Sequence, residues 1–249
     1  MKMTFISFDI DGTLTKPGGG SPGLFRRAFN MLYGPIPKNF HNNNHTFGNH
    51  FLNIDSCVQI MKMNGFEPNQ DAFNKLQKKC EELFSIDAQK IIDERKRINN
   101  SKNLLTKQKQ NADHSVLLPG VEKSLEILNS KPNLVLGVTS SNYESIGWKK
   151  IELANLSRFF PDKIGGFGLE DNKNMALLKA LEKAKKERKI SHFDKLFHVG
   201  DTIGDAESAL AVGFTPIIVK TGGQKTNFPK ESIIFENMED PKFVELLIQ

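Results

Sequence analysis

The sequence holds only two cysteines and one tryptophan in 249 residues. Cys57 and Cys80 stand in no metal-ligand spacing, and two thiols cannot staple a disulfide framework. A reducing cytoplasm is therefore expected. No apolar run approaches the roughly 20 residues of a membrane span. Met1 to Thr15 lacks a basic start, an apolar stretch and a small-residue cleavage site, so no signal peptide and no membrane partner are expected. Internal repeats are also missing. What remains, 38% hydrophobic and 25% charged residues, is the composition of a globular domain or two.

Excess charge is scarce too. The net charge is +5, and it is confined to one segment: residues 16–115 hold 15 Lys/Arg against 9 Asp/Glu, the rest 19 against 20. Nucleic-acid binding would interleave aromatic residues with the basic ones, and Arg95 to Gln110 has none, so no nucleic-acid partner is expected. Most of these lysines and arginines read as a solvated helical surface, with at most weak attraction for an anionic substrate.

Against this background Phe5-Ile6-Ser7-Phe8-Asp9-Ile10-Asp11-Gly12-Thr13-Leu14 stands out. An apolar run with strand character ends in two carboxylates one residue apart, followed by a turn. Desolvating paired acids is costly unless a metal or a cation compensates. Further strand-like runs occur at 4–8, 134–138, 163–167, 196–199 and 216–219, with helical patterns at 121–128, 144–153 and 174–186. Alternation of this kind predicts a doubly wound parallel α/β sheet. Residues 16–115 break the rhythm. A Pro/Gly/Ser stretch at 17–23 leads into helical patterns at 24–32, 54–63, 70–84 and 87–98, with an Asn- and His-rich loop at 38–50 and a loop or frayed helix end at 100–109. The expected division is a core of 1–15 and 116–249 and a mainly helical insertion of 16–115, with Leu118-Pro119-Gly120 marking re-entry.

Four features fall at or beyond strand ends, which converge on one edge of a parallel sheet. They are Asp9 and Asp11; Thr139-Ser140-Ser141-Asn142; Lys173; and Gly200-Asp201-Thr202-Ile203-Gly204-Asp205. One chemistry uses such a set. A carboxylate attacks phosphorus. A Mg²⁺ on hard oxygens, suited to Asp9 and Asp201, offsets the repulsion. A hydroxyl, backbone N–H groups and a lysine stabilise the transferring phosphoryl group. Asp11 exchanges protons with leaving group and water.

These residues resemble the motifs of the haloacid dehalogenase superfamily, in its phosphatase branch. Asp9-Ile10-Asp11-Gly12-Thr13 matches the first motif, Thr139 the second, Lys173 the third and Gly200–Asp205 the fourth. Leu136–Asn142, the helix containing Ala154, Phe159-Phe160 and Gly165–Gly168 are similar to proteins related to phosphoglycolate phosphatase. The resemblance implies a Rossmann-like core with a helical cap at 16–115. It also implies a nucleophile at Asp9, an acid/base at Asp11, and a Mg²⁺ held by Asp9, the backbone carbonyl of Asp11 and Asp201, with Asp205 as supporting acid. Substrate phosphate would meet Gly12, Thr13, Thr139, Ser140 and Lys173. The sequence departs from the pattern twice: Thr-Ser-Ser-Asn replaces the usual Thr-Gly-Asn, and Lys173 is followed by Asn174 rather than proline, which leaves Lys179 as a second candidate.

The implied function is a Mg²⁺-dependent phosphatase acting on a small phosphorylated metabolite through an aspartyl-phosphate, as a monomer or homodimer. A phosphoglucomutase-like phosphotransferase shares every motif. A catalytically idle binding module would have lost Asp9 or Asp201, and a dehalogenase would lack Asp11. Elsewhere bland roles are expected. His41 and His45 lie in the loop, His198 reads as a satisfied core histidine and Trp148 as packing. Phe40, Phe47 and Phe51 are candidate pocket residues, and Phe47-Gly48-Asn49-His50 loosely resembles a substrate-facing loop.

Overall fold

The structure, a computed structural model, describes residues 2–21, 23–35, 54–100, 116–168, 173–223 and 227–249. The chain divides into two compact units, one of Met1–Gly19 with Val116–Gln249, the other of Gly20–Ser115.

The first unit is built on a sheet of six parallel strands: β1 Thr4–Phe8, β2 Leu134–Ser140, β3 Gly165–Phe167, β4 Lys195–Gly200, β5 Thr215–Val219 and β6 Ile233–Phe235, in the order β3-β2-β1-β4-β5-β6. This is the doubly wound Rossmann-like arrangement expected. Helices α4 Val121–Asn129, α5 Glu144–Leu153, α6 Lys173–Arg188, α7 Ile203–Ala211 and α8 Pro241–Ile248 flank it. β1, first in sequence, is central, with Phe8 beside Val138 on one side and Val199 on the other. The order reverses between β1 and β4, and the crevice beyond the carboxyl ends at such a switch is where open α/β sheets bind ligands.

All five residues of β1 are buried, which explains its continuous apolar run. Phe5 packs with Val135, Leu177, Leu181 and Ala209, and its ring meets those of Phe193 and Phe214 at 5.5 and 6.1 Å. Fully burying a side chain of this size contributes about 1.5–3 kcal/mol. Trp148 packs as expected, edge-on to Phe167 at 5.3 Å. Where the chain leaves and re-enters this unit, the two passages are stitched together by Lys16 N–H to Val116 O (2.7 Å) and Leu118 N–H to Leu14 O (3.3 Å).

The second unit contains α1 Leu24–Tyr33, α2 Ile54–Met63 and α3 Gln70–Asn100. Phe25, Phe29, Cys57, Ile60, Met61, Leu76, Cys80 and Phe84 are buried in it. The Tyr33 hydroxyl donates to Ala72 O (2.5 Å), and Asn64 donates to Tyr33 O (2.6 Å). Two helices were expected where α3 runs unbroken. Nothing at Ser85-Ile86 stops a helix: there is no Gly or Pro, and the Ser85 hydroxyl turns back onto Glu81 O at 2.8 Å. The pairs Lys75–Asp71 and Lys79–Glu82 support its solvent face. His41, His45, Phe40, Phe47, Phe51 and the expected loop at 38–50 lie outside the described residues, as does all but Asn100 of the stretch 100–109 expected as a loop or frayed helix end; Asn100 closes α3. No helix among the described residues is long and apolar enough to cross a membrane.

Candidate active site

Asp9 follows β1 directly, its N–H donating to Val199 O at 2.8 Å, so the strand pairing itself sets the acid at the mouth of the crevice. The chain then turns tightly, with Leu14 and Thr15 N–H both donating to Ile10 O at 3.0 and 2.8 Å. Gly12 sits in this turn at φ +89°, a conformation side chains rarely adopt. A Cβ there would also lie 2.5 Å from Asp201 Oδ2. The Asp201 carboxylate is pressed from another side by Gly222, where a Cβ would come within 1.6 Å of the same oxygen. Thr13 Oγ1 donates to Asp201 Oδ1 at 3.2 Å, and Thr221 Oγ1 donates to Gly12 O at 2.6 Å.

Asp201 lies in the turn between β4 and α7, and Asp205 in the first turn of α7. Thr202 caps α7 in a reciprocal capping box with Asp205: the Asp205 N–H donates to Thr202 Oγ1 (3.1 Å) and the Thr202 N–H to Asp205 Oδ2 (3.0 Å). Asp205 is saturated. Its Oδ2 also takes the Thr202 hydroxyl and the Asp201 N–H, while its Oδ1 meets His198 Nε2 (3.1 Å) and the Lys173 ammonium. Lys173 opens α6 and bridges Asp205 to Asp9, 2.6 Å from Asp9 Oδ1. A cation at a helix N-terminus opposes the helix dipole, so its place is explained by these carboxylates rather than by the helix. Lys179, on the same helix, is exposed.

Asp9, Asp201 and Asp205 each offer an oxygen within 4.8 Å of the others, all three buried. Burial pushes Asp9 up to about 7, with Asp205 and Asp11 adding to the rise and Lys173 opposing it. Burial, then Asp205 and Asp9, push Asp201 to about 8. Burial would also raise Asp205, but Lys173 and His198 outweigh it and hold that carboxyl well below its ordinary range. Lys173 is driven the other way: burial disfavours its charge, and Asp205 and Asp9 more than restore it. Burial lowers His198, which Asp205 only partly offsets. Three buried acids thus share one lysine, and among the described residues Asp9 Oδ2 and Asp201 Oδ2 remain uncommitted. That donor set fits a divalent cation. Asp205, with both oxygens engaged, orders the site instead.

Thr139 and Ser140 lie within β2, which runs two residues further than the expected 134–138. Their burial is nearly complete, and Thr139 Oγ1 shares a 2.5 Å hydrogen bond with Ser7 Oγ of β1. Ser140 Oγ accepts from Asn142 N–H (3.3 Å) and Nδ2 (2.7 Å), so the Thr-Ser-Ser-Asn variation closes on itself. Asp11 is met by Lys150 of α5, whose Nζ donates to its two oxygens at 2.8 and 2.6 Å.

Sequence reasoning missed Lys150, Ser7 and Thr221. It also misread His198, which is buried but not fully satisfied: its Nε2 is tied to Asp205, while its Nδ1 finds no hydrogen-bond partner among the described residues. A polar residue inside an otherwise apolar strand, as Ser7 and His198 are, was the available signal. Lys150 gave none, since it reads as a solvated helical lysine.

The geometry agrees with the comparisons to known proteins. A family model described as a haloacid dehalogenase-like hydrolase matches residues 3–213. The chain belongs to that family. A search of curated proteins finds no match. Among solved structures, the chain is similar to a predicted phosphoglycolate phosphatase from Haemophilus somnus (16% identity, 100% of this chain and 99% of that one, TM-score 0.58). It is also similar to a hydrolase of family IA, variant 3, from Entamoeba histolytica (18%, 100% of each chain, 0.57). A third is a β-phosphoglucomutase from Clostridium difficile (14%, 99% and 96%, 0.58). At such identities the likeness carries the fold.

Proposed function

We propose that this hydrolase is a Mg²⁺-dependent phosphatase of small phosphorylated metabolites, acting through an aspartyl-phosphate on Asp9. One observation carries the reading. Acids from two distant stretches, Asp9 and Asp201, meet in one buried cluster whose negative charge Lys173 alone does not balance.

Asp9 Oδ2 attacks phosphorus as the ester P–O bond breaks, with Asp11 giving a proton to the departing oxygen. Water then attacks the phosphorylated Asp9 and gives its proton to Asp11. The P–O bond to Asp9 breaks, releasing inorganic phosphate and restoring the carboxylate. Lys173, on Asp9 Oδ1, orients the nucleophile and faces the charge that develops on the phosphoryl oxygens. Gly12, Thr13, Thr139 and Ser140 stand at the same strand ends and are assigned to the phosphate. Mg²⁺, held by Asp9, Asp201 and the Asp11 backbone carbonyl, would supply positive charge to draw the anionic substrate against the acids.

The test is hydrolysis of an aryl phosphate with and without Mg²⁺, followed by a panel of phosphorylated metabolites. Wild type is expected to turn over only with the metal, and Asp9→Asn to lose activity by about 10³-fold or more with its circular dichroism unchanged. No turnover by folded protein with several metals would leave an idle binding module. Sugar-phosphate isomers formed in place of inorganic phosphate would point to a phosphotransferase.

A further inference from the structure

Lys150 is buried, with 2% of its surface exposed, although burying an ammonium is costly and α5 has exposed positions available. It lies in a closed triangle. Its Nζ donates to Asp11 Oδ1 (2.8 Å), Asp11 Oδ2 (2.6 Å) and Asn142 Oδ1 (3.0 Å), and Asn142 Nδ2 donates in turn to Asp11 Oδ2 (2.7 Å). The triangle is closed over by Gly19, at φ +50°, where a Cβ would lie 2.8 Å from Lys150 Cδ and 2.9 Å from Asp11 Oδ1. Asp11 itself stands in the turn after β1, where local backbone does little to choose its rotamer. With both its oxygens held, its carboxylate has one orientation.

We propose that Lys150 is a positioning residue. With Asn142, and under Gly19, it fixes the Asp11 carboxylate in the orientation from which Asp11 exchanges protons with the leaving group and the attacking water. The proposal rests on the phosphatase reading. A lysine that merely tied α5 to the β1 turn would have the same contacts but no bearing on proton transfer, and leaving groups distinguish the two. A departing oxygen of low basicity leaves without a proton, whereas an alkoxide needs one.

The experiment measures kcat and KM for wild type, Lys150→Met, Asp11→Asn and the double variant, over aryl phosphates of graded leaving-group basicity and one alkyl phosphate. Lys150→Met is expected to lose about 10- to 100-fold in kcat on the alkyl phosphate. The loss should shrink steadily as the leaving group becomes less basic, with KM moving less than about threefold. In the Asp11→Asn background the same substitution should add little. Lys150→Arg should recover part of the loss, since a guanidinium also reaches two carboxylate oxygens. If Lys150→Met does not fold, Asn142→Ala takes its place, with a smaller shift in the same direction. A loss uniform across leaving groups, an increase in kcat, or full additivity with Asp11→Asn overturns the proposal while leaving the phosphatase reading intact. Absence of wild-type turnover on every phosphate removes both.

Discussion

The Lys173 ammonium stands between the carboxylates of Asp9 and Asp205, 2.6 Å from Asp9 Oδ1. It is a positive charge that lets the buried acids coexist, and it holds Asp9, the proposed nucleophile, by one oxygen so that the other is left to attack. Lys173→Met is expected to lower kcat by about 10²- to 10³-fold. Lys179→Met, on the exposed face of the same helix, should stay within about twofold of wild type, as surface substitutions usually do. Steady-state kinetics on one aryl phosphate decides between the two lysines.

Asp9 and Asp201 tie stability to pH. Their folded values rise from 3.8 to about 7 and about 8. Across that window the metal-free fold binds more protons than the unfolded chain, so the stability these groups contribute is present below 3.8 and is lost as pH climbs through their folded values. A divalent cation binds the deprotonated forms. Adding Mg²⁺ should therefore raise Tm more at roughly pH 8.5 than at roughly pH 6. Equal gains at both pH values would contradict a site built on these two acids.

Asp205→Asn removes a buried charge from a network that includes Lys173, His198, Thr202 and the Asp201 N–H. Lys173 loses its closest counter-charge, and the amide keeps only one accepting oxygen, so either His198 Nε2 or the donors of Thr202 and Asp201 face an NH2 group. A loss of about 3–5 kcal/mol is expected, the scale for breaking a buried pair on one side. Urea unfolding measures it.

Gly222→Ala would drive a methyl group to within 1.6 Å of Asp201 Oδ2. The acid has to move, so metal affinity should fall by about 10-fold or more, the range of effects when ligand-orienting neighbours change. Gly204→Ala is the control. Its Cβ would meet only Thr202 Oγ1 at 3.7 Å, an ordinary contact. Isothermal titration with Mg²⁺ compares the two.

Most of the sheet was legible because β1, β2, β4 and β5 each carried a signal of their own, a stretch dominated by Phe, Ile, Leu and Val and largely buried. β6 was missed. With three residues at the sheet edge, one of them exposed, it has no pattern to read. The expected gap between the helical patterns at 70–84 and 87–98 is absent because no residue there prevents continuation, and α3 runs through it. In the site, residues whose type announces chemistry (Asp9, Asp11, Asp201 and Lys173) could be named from their place at strand ends. Those that act through a neighbour could not. Ser7 matters because the β1–β2 pairing brings its hydroxyl to Thr139, and Lys150 because a turn of backbone 139 residues away points Asp11 at it. Such relations exist only after folding.

The position of β1 has a consequence for the chain's synthesis. β1 leaves the ribosome ahead of both its neighbours and needs Leu134–Val138 on one edge and Lys195–Val199 on the other before its backbone is paired. Until β4, about 190 residues further along the chain, has been made, Phe5, Ile6 and Phe8 have no permanent shelter. Contacts so remote in sequence slow folding and leave apolar surface open to aggregation. A nascent chain halted ahead of β4 would carry its most hydrophobic strand half-paired, and the crevice that gathers the acids would have only one wall.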